Sequence, residues 1–263
     1  MYCQQARHSW VVEKGRNHPL KKSVSLPKDD YRFSCKSVYG SSLTMQQEIS
    51  HQIRLCTNKA CGLRFPVIEG DLRGLCCPVC KAPTLTGSDP YPEHKTKKLE
   101  ASQGFPEIEV LLDNIRSIYN VGSIFRTSDG AGVRRLHLCG ITPTPDNPKL
   151  RKTALGAQET VGWTFHENGC MAAAALKSSG MRLWALEGGQ GSVFLHYVLS
   201  EVKGLPIVLV VGNEISGVDP GILALCDRIV SLPMQGIKSS LNTAVASGIA
   251  IYALRFLSDL SSG

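Results

Sequence analysis

No run in these 263 residues approaches the ~18 uninterrupted apolar positions that a transmembrane helix needs, so a membrane span is not expected. The first 22 residues are polar and dotted with Arg, Lys and His. With no apolar stretch they do not read as a secretory signal, and the cytoplasm is the expected compartment. No Gly-x-Gly-x-x-Gly follows the first strand pattern and no Walker Gly-Lys-Ser/Thr occurs, which removes the dinucleotide fingerprint and the P-loop. Gly188-Gly189-Gln190-Gly191 has only a superficial likeness to the former. No segment repeats internally. Acidic residues are scarce in one part only: residues 1–105 hold 16 Lys/Arg against 9 Asp/Glu, whereas 106–263 hold 13 of each. The whole +7 net charge therefore lies in the front, with seven of the ten cysteines. A one-sided positive charge of this kind suits phosphate, and a nucleic acid is the expected partner.

The chain divides by composition. Residues 1–48 show no sustained apolar period and read as an irregular or disordered extension. Residues 49–85 carry the cysteine cluster. Residues 86–106, with Pro90, Pro92 and the run His94-Lys95-Thr96-Lys97-Lys98, read as a basic linker. Over 107–263 short β-rich runs alternate with helical patterns. Strands are predicted at 108–112, 135–139, 162–165, 182–186, 207–211 and 229–232, and helices at 121–131, 147–155, 169–179, 220–224 and 241–257. The alternation predicts an α/β fold, a mostly parallel sheet flanked by helices. Such sheets bind ligands beyond the carboxyl ends of their strands. Two glycine-rich loops fall there, 187–191 and 212–217, and the first reads as a pocket wall that begins at Leu186.

Cys56-x4-Cys61 is separated by fifteen residues from Cys77-x2-Cys80, with Cys76 as a spare neighbour. Two close pairs at this distance read as a four-thiolate zinc site. Gly62 and Pro78 suit the tight knuckles, and two knuckles make a zinc-ribbon-like module. About thirty residues bury too little to fold alone, so one structural zinc is expected to supply the missing stability. Two disulfides or a redox C-x-x-C pair are the alternatives.

Three further segments stand out. The first is Asn114-Ile115-Arg116, then Asn120-Val121-Gly122-Ser123-Ile124-Phe125-Arg126-Thr127. The second is Leu209-Val210-Val211-Gly212-Asn213-Glu214, then Gly217-Val218. The third runs from Ser231-Leu232-Pro233-Met234 through Ser239-Ser240-Leu241-Asn242 to Ala246. Lys152-Thr153-Ala154-Leu155-Gly156-Ala157 with Glu159 adds a fourth. In this order they closely resemble the SpoU (TrmH) family of S-adenosylmethionine-dependent RNA 2′-O-ribose methyltransferases, over about residues 107–258.

The resemblance implies methyl transfer from S-adenosylmethionine to a ribose of tRNA or rRNA, a two-fold homodimer, and a trefoil knot around the last helix. Knots are otherwise very rare, so the knot rests on the resemblance alone. It also implies that Arg126 activates the 2′-hydroxyl, with Asn120, Glu214, Ser240 and Asn242 at the catalytic site. Gly212, Leu232 and Leu241 would contact the cofactor by the same resemblance, while Leu186 and Met234 are expected to join them from their own placement at strand ends beside the loops. Chemistry limits the first role: a guanidinium of pKa above ~12 is no simple base, so Arg126 would stabilise a developing alkoxide. The alternative reading is an RNA-binding or ribosome-assembly protein that kept the fold without turnover. Leu241, Val245, Ile249, Tyr252 and Phe256 form an apolar stripe on the last helix, either a dimer face or core.

Overall fold

A computed structural model describes residues 49–93, 96, 105–202 and 204–258. The extension 1–48, most of 94–104 and the last five residues lie outside them, as do the expectations made there. The chain separates between Lys98 and Leu99 into two compact units.

In the front unit β1 (Ser50–Cys56) is the central strand. It pairs antiparallel with β2 (Arg64–Ile68), β3 (Thr84–Thr86) and β4 (Tyr91–Pro92). The module thus extends past residue 85. Residues 86–92, read as linker from their polarity, are tied in: Gly87 N–H donates to the Ile53 carbonyl at 2.7 Å and Tyr91 stacks on His51. One short-spaced cysteine pair brackets the β1–β2 turn, and the other lies just before β3. Gly62 and Lys81, each immediately after the second cysteine of a pair, are both left-handed, with φ of 58° and 61°.

The back unit is a seven-stranded sheet in which every pairing is parallel. Its strands are β5 (Ile108–Asp113), β6 (Arg135–Cys139), β7 (Gly162–His166), β8 (Arg182–Leu186), β9 (Val193–Phe194), β10 (Ile207–Val211) and β11 (Arg228–Ser231). Their order is β7-β6-β5-β10-β8-β11-β9. β5 and β10 are buried along their whole length, the mark of a strand covered on both faces. One face packs under α1 (Ile118–Ala131), α2 (Pro148–Ala154) and α6 (Thr243–Phe256), the other under α3 (Gly169–Ser178) and α5 (Pro220–Leu223). α4 (Leu195–Val198) follows the edge strand β9, and neither short element has a sequence period to announce it.

Two helix starts differ from the apolar pattern. α1 begins at Ile118 rather than 121, because Ser117 caps it and accepts from the Asn120 N–H at 3.3 Å. α6 begins at Thr243 rather than 241, because Asn242 is its cap and accepts from Ala244 and Val245 N–H. Gly132 closes α1 in the left-handed conformation, with φ of 69°. Among the described residues no helix is long and apolar enough to cross a membrane.

Candidate active site

The carboxyl ends of β8, β10 and β11 open into a cavity of about 300 Å³. Leu186, Leu232, Met234 and Leu241 give it apolar walls. Gly212 sits at its floor, where the chain turns back so that Asn213 and Gly217 exchange two backbone hydrogen bonds of 3.0 Å. A Cβ at Gly212 would overlap the Val218 backbone nitrogen, so the tight turn itself requires glycine there. All five residues expected to contact a cofactor line this one cavity, as do Ser240 and Glu214.

Glu214 does not serve the helix that follows it. It reaches back to the start of α1, accepting from the backbone N–H groups of Arg116 and Ser117 at 3.0 Å each. The Asn120 amide nitrogen donates to the same carboxylate at 2.9 Å. The Asn242 amide in turn donates to Asn120 Oδ1 at 3.0 Å, while its own oxygen caps α6. Asn120 therefore lies inside the first turn of α1, not before it as the apolar period suggests. Burial works against the Glu214 charge, but the N–H groups of Arg116, Glu214 itself and Ser117, with the Asn120 amide, hold the carboxyl below its usual range. A carboxylate at a helix N-terminus is also favoured by the helix dipole.

This chain of three side chains lies between two cavities. The second is a groove between α1 and α6, of about 590 Å³, lined by Asn120, Ser123, Asn242, Val245 and Tyr252 among others. Arg126 lines neither cavity. It is exposed on α1, and among the described residues it has no hydrogen-bond or ionic partner.

Two residues of the site, Glu187 and Asp113, had no motif to mark them. Glu187 lines the first cavity and accepts from the Val218 N–H at 2.9 Å, fixing the turn after Gly212. Asp113, buried at the end of β5, accepts from the Asp219 N–H at 2.8 Å. Asn213 donates to the Asn114 carbonyl at 2.7 Å, which ties the second motif to the first. An acidic residue closing an apolar strand run was the available signal for Asp113 and Glu187.

In the front unit the sulfurs of Cys56, Cys61, Cys77 and Cys80 lie within 4.8 Å of one another, and all four are free thiols. Cys56 and Cys80 are 3.3 Å apart, and Cys61 and Cys77 3.8 Å. Four sulfurs at ~2.3 Å from a tetrahedral ion would be about 3.8 Å apart, so the donor set fits a metal of zinc's size. The Cys80 N–H, opposed by burial and helped by that of Val79, brings the Cys77 thiol down to about 6.

A parallel α/β domain with a ligand cavity at the carboxyl ends of its strands, joined to a four-cysteine module, is the class that this architecture defines. The chain belongs to the SpoU rRNA Methylase family, whose model matches residues 107–252. It is 30% identical over 210 residues to the 23S rRNA (guanosine-2′-O-)-methyltransferase RlmB of Pseudomonas aeruginosa, covering 77% of this chain and 82% of that protein. It is 29% identical to the tRNA (guanosine(18)-2′-O)-methyltransferase of Escherichia coli K12, over 56% of this chain and 62% of that one, so it spans less than two thirds of this relative. The solved structure of an AdoMet-bound rRNA methyltransferase from Sinorhizobium meliloti matches with a TM-score of 0.53 and 27% identity, covering 57% of this chain and 56% of that one.

Proposed function

We propose that this protein transfers a methyl group from S-adenosylmethionine to a ribose 2′-hydroxyl of tRNA or rRNA. The observation that carries the reading is the chain Glu214–Asn120–Asn242 between two cavities, one with apolar walls beyond the strand ends and one open along α1. A cavity of this volume is at the lower bound for a drug-sized ligand. Leu186, Leu232, Met234 and Leu241 suit an adenine face, and the backbone groups after Gly212 suit its polar edge. Bound there, the cofactor supplies an electrophilic methyl group.

The protein's own groups have to hold and orient the hydroxyl. The Glu214 carboxylate fixes the start of α1, and through it the Asn120 amide, so the acceptor groups of the site are set before substrate arrives. At the entry to α6, Ser240 lines the first cavity and Asn242 the second. Among the described residues no carboxylate pairs with Arg126, so its guanidinium is available to a developing alkoxide or a neighbouring phosphate. The proton leaves to a substrate phosphate or water.

Three further parts of the reading are supported more indirectly. A two-fold homodimer is supported by α6, where Val245, Ile249 and Tyr252 are exposed, whereas Phe256 turns inward against Phe105. A trefoil knot is supported by β10 returning between β5 and β8 and by α6 packing on α1. One structural zinc is supported by the four-thiol cluster. Titration calorimetry tests the cofactor: S-adenosylmethionine should bind near one per chain and be displaced by S-adenosylhomocysteine. Absence of heat and of competition would remove the reading.

A further inference from the structure

Tyr119 immediately precedes Asn120 and lines the groove that Asn120, Ser123 and Asn242 also line. It is 76% exposed on a helix whose inward residues, Val121, Ile124 and Phe125, are fully buried. Among the described residues its ring stacks on no other ring and its hydroxyl has no partner. It therefore does nothing for the packing of α1.

Helical spacing sets Tyr119, Ser123 and Arg126 along one edge of α1, at i, i+4 and i+7. At 1.5 Å per residue the ring and the guanidinium start about 10 Å apart along the axis. On that edge the residue between them is Ser123, whose side chain is small, and the neighbouring Gly122 is closed against Thr153. An aromatic face and a free cation thus flank a shallow stretch of helix, and the Asn120 amide lies beside it. Unpaired RNA bases are held by stacking on such rings, and their phosphates by such cations.

We propose that Tyr119 is a positioning residue, a stacking platform for an unpaired nucleobase of the RNA, which sets the attached ribose beside Asn120 and the sugar–phosphate toward Arg126. The inference rests on the RNA methyltransferase reading for its substrate, but its binding step stands apart from turnover. Stacking tolerates any base, so Tyr119 fixes where the nucleotide sits and leaves base identity to other contacts.

The test uses the full chain and a single-stranded RNA oligonucleotide carrying 2-aminopurine, whose fluorescence falls on stacking. Wild type and Tyr119→Phe should quench it and bind equally. Tyr119→Ala should bind on the order of tenfold to a hundredfold more weakly, with S-adenosylmethionine affinity and light-scattering mass unchanged. In methyl transfer KM should rise more than kcat falls. Equal binding by Tyr119→Ala and Tyr119→Phe would overturn the proposal, as would failure of wild type to bind the oligonucleotide. A lower mass for Tyr119→Ala with unchanged affinity per chain would also overturn it, making the ring a contact to a second copy. Should Tyr119-dependent binding occur with no methyl transferred by wild type, the platform stands and the methyltransferase reading falls.

Discussion

Arg126 and Glu214 separate cleanly at the level of single residues. Arg126 is exposed and has no partner among the described residues, so Arg126→Ala should leave thermal unfolding where it is. Methyl transfer should nevertheless fall on the order of a hundredfold, the scale of a lost charge-stabilising donor. Glu214 takes three hydrogen bonds around the start of α1. Glu214→Ala should cost on the order of 1 kcal/mol of stability, the scale of a lost helix cap, as well as activity. Scanning calorimetry beside tritiated-methyl transfer checks both, and equal thermal shifts in the two variants would contradict the distinction. The position of Glu214 after Gly212-Asn213 is plain in the sequence, but its partners are not. They lie about 100 residues earlier, and only the β5–β10 pairing brings them together. For the same reason Asn242 is readable as part of a motif, while its bond to Asn120 is not.

At the scale of elements, the sheet face beneath β5, β6 and β7 carries a polar column. Buried Glu109 meets His137 at 2.7 Å, and His137 meets His166 at 2.9 Å. Arg134 lies 3.6 Å from Glu109 on the outer side. Burial, and then the neighbouring His137, push His166 below its ordinary value of 6.5. The unfolded chain therefore takes up a proton there before the folded chain does. This contribution is whole above pH 6.5 and is lost as pH falls through the lower folded value. Denaturation midpoints should drop between pH 7.5 and 5.5, and the drop should shrink in His166→Gln; an unchanged slope in the variant would contradict it. The long elements were legible because each carries its period: the apolar runs of β5 and β10, and the apolar stripe of α1 from Val121 onward. Their ends were less so, since Ser117 and Asn242 cap helices through hydrogen bonds that leave no period. In the front module the cysteine spacing was legible, but β4 was hidden by Pro92 and by Pro90 just before it. Elemental analysis should find about one zinc per chain. Cys77→Ser should lose it and Cys76→Ser keep it, and the reverse pattern would exchange the ligand assignment.

The whole molecule joins a neutral domain to a front that carries the charge. Residues 49–93 hold five Lys/Arg and four Asp/Glu, so the cysteine module is itself nearly neutral. The basic excess lies in 1–48 and 94–105, and the sequence alone points those segments at RNA phosphates. Composition made this division visible, whereas the gathering of Asn120, Glu214 and Asn242 between two cavities needed the folded sheet. The central claim is methyl transfer to a ribose hydroxyl, and one measurement meets it directly. Purified protein is incubated with unmodified tRNA and rRNA and tritiated S-adenosylmethionine, and the labelled RNA is then hydrolysed in alkali. A methylated 2′-oxygen cannot attack the adjacent phosphodiester, so the account predicts label in alkali-resistant dinucleotides, abolished by Asn120→Ala. Label in free mononucleotides would place the methyl group on a base and contradict the account, and so would the absence of any label in either RNA.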